Sequence, residues 1–153
     1  MTNRERLVAQ ITHQQETGRR IPIVSLQEFF EGNEDYGSIG CNLDGPYTVP
    51  PVSAPVPYWP HPGPQGFYQV LQSVRARDDV QDVLVEISDP DVGEEDWPFS
   101  ERVYILTSAS VEQVEAWTAK LFPTEVSEGY DGEKPALAPD LLPGYQAYAL
   151  WWD

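Results

Sequence analysis

Gln81-Asp-Val-Leu-Val-Glu-Ile-Ser88 and Arg102-Val-Tyr-Ile-Leu-Thr107 decide the fold of this chain. In the first, Val83, Val85 and Ile87 share one face, with Leu84 and Glu86 on the other. In the second, Val103, Ile105 and Thr107 oppose Tyr104 and Leu106. A period of two sends successive side chains to opposite faces, so both stretches read as strands. An acidic connection from Asp89 to Ser100 joins them. Beyond the second strand, Ser110-Val-Glu-Gln113 is a capping box, followed by Val111, Val114, Trp117 and Leu121 at helical spacing until Pro123 stops the helix. Before the first strand, Phe67, Val70, Leu71 and Val74 mark an amphipathic helix over 66–77.

Further out the signals weaken. Residues 145–152 read as a closing aromatic strand, and 124–144 as a loop rich in proline, glycine and acids. Residues 46–64 hold eight prolines, which exclude a helix or a central strand, so a long proline-rich loop is expected there. Ser38–Leu43, with Ile39, Cys41 and Leu43 on one face, alternates like a strand, and Ile21–Val24 is a rival for the same place. Thr2-Asn-Arg-Glu5 and Ser25-Leu-Gln-Glu28 are two more capping boxes, each opening a short helix. From residue 38 the order is strand, helix, strand, strand, helix, strand. This predicts an α+β, ferredoxin-like β-α-β-β-α-β antiparallel sheet with its helices on one face. The chain of 153 residues suits a single domain, with 1–37 as an N-terminal helical extension and 38–153 as the α+β core.

Charge separates the function classes. The net charge is −16, from 25 acids against nine bases. Arg4, Arg6, Arg19 and Arg20 fall in the first twenty residues, so residues 21–153 carry 23 acids and five bases, or −18. Such a body repels nucleic acid and anionic membrane and attracts basic proteins. No run has the roughly 18 apolar residues of a membrane helix. The polar N-terminus shows no signal-peptide core, and Cys41 is the only cysteine, so a cytoplasmic protein is expected.

Among candidate sites, Asp89, Asp91, Glu94, Glu95, Asp96 and Trp97 stand out. The acids would steer a basic partner and Trp97 would anchor it, unless the loop is a solvated hairpin tip and its aromatics belong to the core. The spacing fails the calcium-loop pattern, because Gly93 and Ser100 fall where ligands belong, so no metal is expected. Tyr58, Trp59 and His61 in the proline-rich segment are the candidate small-ligand residues. Cys41 and His61 would make a nucleophilic pair only if the fold brought them together. No phosphate loop, metal-spaced histidine pair or nucleophile elbow is present, and no cofactor is implied. In Trp151-Trp152 one indole should pack on the helices and the other on an open sheet face, a surface that admits a homodimer.

Asp96-Trp-Pro-Phe-Ser-Glu-Arg-Val-Tyr-Ile-Leu-Thr-Ser108, with Val114, Trp117 and the terminal Trp151-Trp152-Asp153, resembles a family of small acidic bacterial proteins of unknown function. The resemblance implies a bacterial origin but brings no reaction, cofactor or partner. The expected function is therefore that of a non-catalytic acidic protein binding a basic partner, in the manner of an immunity protein or a nucleic-acid mimic. The alternatives are a small-ligand binding or regulatory module and, behind it, an enzyme with an unrecognised site.

Overall fold

A computed structural model describes residues 1–18, 21–40, 47–48, 59–90 and 93–152. The elements run α1 (Asn3–Glu16), β1 (Ile23–Ser25), α2 (Leu26–Phe30), β2 (Tyr47–Thr48), β3 (Trp59–Pro60), α3 (Gly63–Arg75), β4 (Val80–Glu86), β5 (Arg102–Thr107), α4 (Val111–Thr118), β6 (Glu125–Glu128) and β7 (Gln146–Trp151). All three capping boxes close as read. Thr2, Ser25 and Ser110 each accept the amide three residues on, and Glu5, Glu28 and Gln113 reach back to the cap. Each box satisfies two amides that the first helical turn leaves without partners. α3 starts at Gly63, earlier than its apolar spacing predicts. Pro64 sits in the first turn, where no amide donor is needed.

Five strands form one antiparallel sheet in the order β1-β4-β5-β7-β6, and β2 and β3 pair separately in parallel. The ferredoxin-like order does not describe this pairing. β5 and β6 each run antiparallel to β7 between them, so β5-α4-β6 is a split β-α-β unit. The first half is different, because β1 and β4, which flank α2 and α3, are adjacent and antiparallel. Two predicted boundaries also change. The first strand of the sheet is Ile23–Ser25, while Ser38 lies in a 3-10 turn and Ile39 makes a single bridge to Ser100. Residues 41–43 lie outside the described residues, as does most of the proline-rich segment. The loop read at 124–144 contains β6, an edge strand with one apolar side chain, Val126.

All four helices lie on one face. Leu7, Ile11, Phe29, Phe30, Phe67, Leu71, Val74 and Val114 meet Val83, Val85, Val103, Ile105 and Leu150 of the sheet in one core. Trp152 joins it at 2% exposure, and its indole donates to the Leu121 carbonyl at 2.8 Å. Gly40, at φ +65°, lets Phe67 come so close that a Cβ would sit 2.5 Å from the ring. The second face is not open. Leu84, Tyr104, Leu106, Ala147 and Ala149 are buried beneath Tyr130 and Ala138, which belong to the segment between β6 and β7. That segment covers the face on which the sequence admits a homodimer, and Trp151 is half-buried.

The β1 edge is sealed by side chains. The buried Gln14 of α1 donates to the Ile23 carbonyl at 2.8 Å and accepts the Ile23 amide at 3.0 Å. The Glu28 carboxylate takes the Ser25 amide at 3.0 Å.

Candidate functional site

The acidic connection leaves β4, turns, and is drawn back to the sheet where Asp89 bridges Phe99. That return places Trp97 in the helix-side core at 8% exposure, with its amide donating to Asp35 Oδ2 at 3.0 Å. Trp97 is therefore not a surface anchor. The buried indole fixes the base of the loop, and Glu94, Glu95 and Asp96 stand out in solvent. Arg4 reaches over from α1, its guanidinium donating to the carbonyls of Asp96 at 2.8 Å and Gly93 at 3.0 Å, and so brings one positive charge to the base of the loop. Asp89 is exposed, and Asp91 lies outside the described residues.

The two ends of the strands differ in how their charges are paired. The end where β4 stops and β5 begins gathers Glu94, Glu95 and Asp96, with Asp35 held there through Trp97 and the exposed Glu34 beside it. None of these carboxylates enters the five ion pairs found among the described residues. At the opposite end Arg75 pairs with Asp82, Arg77 with Asp79, and Lys134 with Asp140, each neutralised locally.

A second polar group lies on the face covered by the strap, the segment between β6 and β7. Arg102 Nη1 sits 3.1 Å from Glu86 Oε2 and 3.0 Å from Asp131 Oδ2. Tyr104 donates its hydroxyl to Glu86 Oε1 at 2.8 Å and accepts the Asp131 amide at 3.4 Å. Burial and the adjacent Glu86 carboxylate hold the Tyr104 phenol well above its ordinary range, so it stays a proton donor within the network. The network ties the strap to the sheet. Sequence reasoning missed it, although an acid and a base sharing one face of neighbouring strands were the available sign.

Of the ligand-binding candidates, Tyr58 and the Trp59 side chain lie outside the described residues. His61 is 4% exposed, and both ring nitrogens are engaged. The Gly63 amide donates to Nδ1 at 2.9 Å, so Nε2 carries the proton and donates to the Ile39 carbonyl at 2.7 Å. The ring lies against Tyr36 and Phe67. This arrangement fastens the start of α3 to the Ile39-Gly40 turn and is built for the neutral imidazole. Desolvation accordingly pushes the His61 pKa below 6.5. In the folded state fewer protons bind than in the unfolded chain, so this contribution to stability is complete above pH 6.5 and is lost as pH falls through the folded value. An NMR titration of the imidazoles checks this. His61 should still be neutral when the pH passes 6.5, and titration at or above that value would refute the assignment.

An open groove of about 620 Å³ runs beside α2 and α3, lined by Gln27, Tyr68, Gln72, Arg75 and Gln81. Among the described residues no group of three or more His, Cys, Asp or Glu side chains is placed to hold a metal ion, and no helix is long and apolar enough to cross a membrane.

These features define a class: an α+β protein whose antiparallel sheet carries four helices on one face and a strap on the other, with a run of exposed acids at the turn between β4 and β5. The chain belongs to the Uncharacterized protein YfbO family, which it matches over residues 2–150. It is 34% identical over 133 residues to "Uncharacterized protein YfbO" of Escherichia coli strain K12, spanning 86% of this chain and 83% of that protein. A bacterial family of unknown function is thus the family to which the sequence likeness pointed. No solved structure matches the chain.

Proposed function

We propose that this protein is a non-catalytic, cytoplasmic binding protein that engages a basic partner through the acidic end of its sheet. The observation that supports this reading is the local density of charge in the turn after β4. Glu94, Glu95 and Asp96 are three consecutive exposed carboxylates outside the ion pairs of the described residues, with the exposed Glu34 nearby, whereas Arg75, Arg77 and Lys134 at the far end are each paired with an acid. Charge gathered on one surface steers an oppositely charged partner and sets its orientation, whereas scattered charge serves solubility alone. The buried Trp97 gives the loop a fixed base, so the acids are presented from a rigid foot.

The test compares two variants of equal net charge. Glu94→Gln/Glu95→Gln/Asp96→Asn neutralises the loop, and Glu16→Gln/Glu112→Gln/Glu115→Gln removes three exposed acids elsewhere. Binding of a fluorescent arginine-rich peptide at low salt should weaken by about tenfold in the first variant and by less than about twofold in the second. Equal losses in the two variants, or no binding by the wild type, would refute the proposal.

A further inference from the structure

The two edges of the sheet are finished differently. At β1, Ile87 donates to the Pro22 carbonyl at 2.9 Å, which fixes the hydrogen-bond phase and turns the Ile23 amide and carbonyl outward. Gln14 occupies both, and Glu28 takes the next outward amide, that of Ser25. At β6, Gly129 donates to the Ala147 carbonyl at 2.7 Å. In an antiparallel ladder the inward-bonded residues alternate, so Ser127 faces β7 and the backbone groups of Val126 and Glu128 turn outward. The phase on the other side of β7 agrees, because Trp152 donates to the Glu101 carbonyl at 3.0 Å. Among the described residues no side chain or strand takes the outward groups of Val126 and Glu128.

We propose that the free β6 edge is a docking strand for an extended basic peptide segment, which adds a sixth strand to the sheet. Charge selects this occupant. Glu125 and Glu128 are both exposed and, lying three apart, project to opposite faces of the edge. Near the middle of the strand the outward phase lets a second copy pair antiparallel only with Val126 opposite Val126 or opposite Glu128, so Glu125 would meet Ser127 or Gly129 and neither glutamate would meet a cation. A strand with Lys or Arg at two positions three apart meets both glutamates with opposite charge. Its main chain finds the donors and acceptors that Val126 and Glu128 leave outward. The inference rests on the basic-partner reading and deepens it, by naming the conformation of the partner and the place where it lies.

The experiment uses the full chain and an eight-residue valine–threonine peptide carrying arginine at two positions three apart. A second peptide has the same charge but is N-methylated at alternate amides. The first peptide should bind, and hydrogen exchange at the Val126 and Glu128 amides should slow in its presence. The methylated peptide should bind about tenfold more weakly, since it keeps the charge and loses the ladder. Val126→Pro removes an outward amide without breaking the β7 ladder and should weaken the first peptide comparably. Equal binding of the two peptides, or no exchange protection at β6, overturns the edge proposal while leaving the basic-partner reading intact. Binding of neither peptide, with none of the arginine-rich probe either, overturns both. Dimerisation of the chain alone through β6, seen by ultracentrifugation and abolished by Val126→Pro, would identify the wrong occupant and also overturn it.

Discussion

Gln14→Leu will lower the stability of the folded chain by about 3 kcal/mol, because a buried amide and a buried carbonyl each lose a partner worth roughly 1–3 kcal/mol. Gln14 is 1% exposed, and its two bonds to Ile23 reproduce what a neighbouring strand would supply. Leucine has a similar size and greater hydrophobicity, so lost packing cannot account for the change. For a chain of this length about 3 kcal/mol corresponds to a fall in Tm of roughly 6–12 °C. Gln14→Glu keeps the acceptor but sets a carboxylate against the Ile23 carbonyl, so it should cost at least as much. Gln15→Leu, at the exposed neighbouring position, should stay within about 0.5 kcal/mol. Urea unfolding followed by tryptophan fluorescence measures all three. A Gln14→Leu variant as stable as Gln15→Leu would show that the edge is satisfied by other means.

That edge illustrates what the sequence does and does not disclose. The capping boxes were legible because each is a contract between residues three apart. Arg102–Thr107 was legible because its alternation is unbroken and both its faces are buried. β6 carries no such signal. In Glu125-Val-Ser-Glu128 the lone apolar residue touches the core, and an edge strand exposes too much to alternate. β1 has three residues, and its place depends on pairing with a strand some sixty residues later, which no local pattern encodes. Gln14 stands among polar residues in the sequence of α1, and only its distance to Ile23 reveals its role.

The site divides in the same way. The acidity of residues 89–96 is a property of composition and could be read directly. Whether Trp97 faced solvent or core depended on the return of the loop, which is set by the Asp89–Phe99 bridge. His61 was singled out as chemically capable, yet its chemistry is consumed by holding a turn. The sign was local: a glycine two residues on, at a helix start, offers its amide to the ring. The sequence shows Glu86 and Arg102 on the same face of neighbouring strands, but the long acidic connection of the hairpin hides the register that sets them opposite each other.

That pair supports the remaining large effect. Arg102→Met should destabilise the protein by about 3 kcal/mol, the usual scale for leaving one charge of a buried pair without its partner. The Glu86 side chain is 8% exposed and that of Arg102 is 15%, so little water is at hand to replace the guanidinium. Among the described residues Tyr104 would remain as the donor to the carboxylate, and a neutral hydroxyl cannot offset a stranded charge. Glu86→Leu/Arg102→Met should recover most of the loss, because an apolar pair removes the desolvation cost together with the attraction. Asp131→Asn should change stability by less than about 0.5 kcal/mol, since that carboxylate is 64% exposed. Hydrogen exchange separates this account from a simple packing defect. Arg102→Met should speed exchange at the Asp131 amide, which reports attachment of the strap, more than at the Ala149 amide within β7. If both amides speed up equally, or if the double variant is no more stable than Arg102→Met alone, the ion pair does not hold the strap to the sheet.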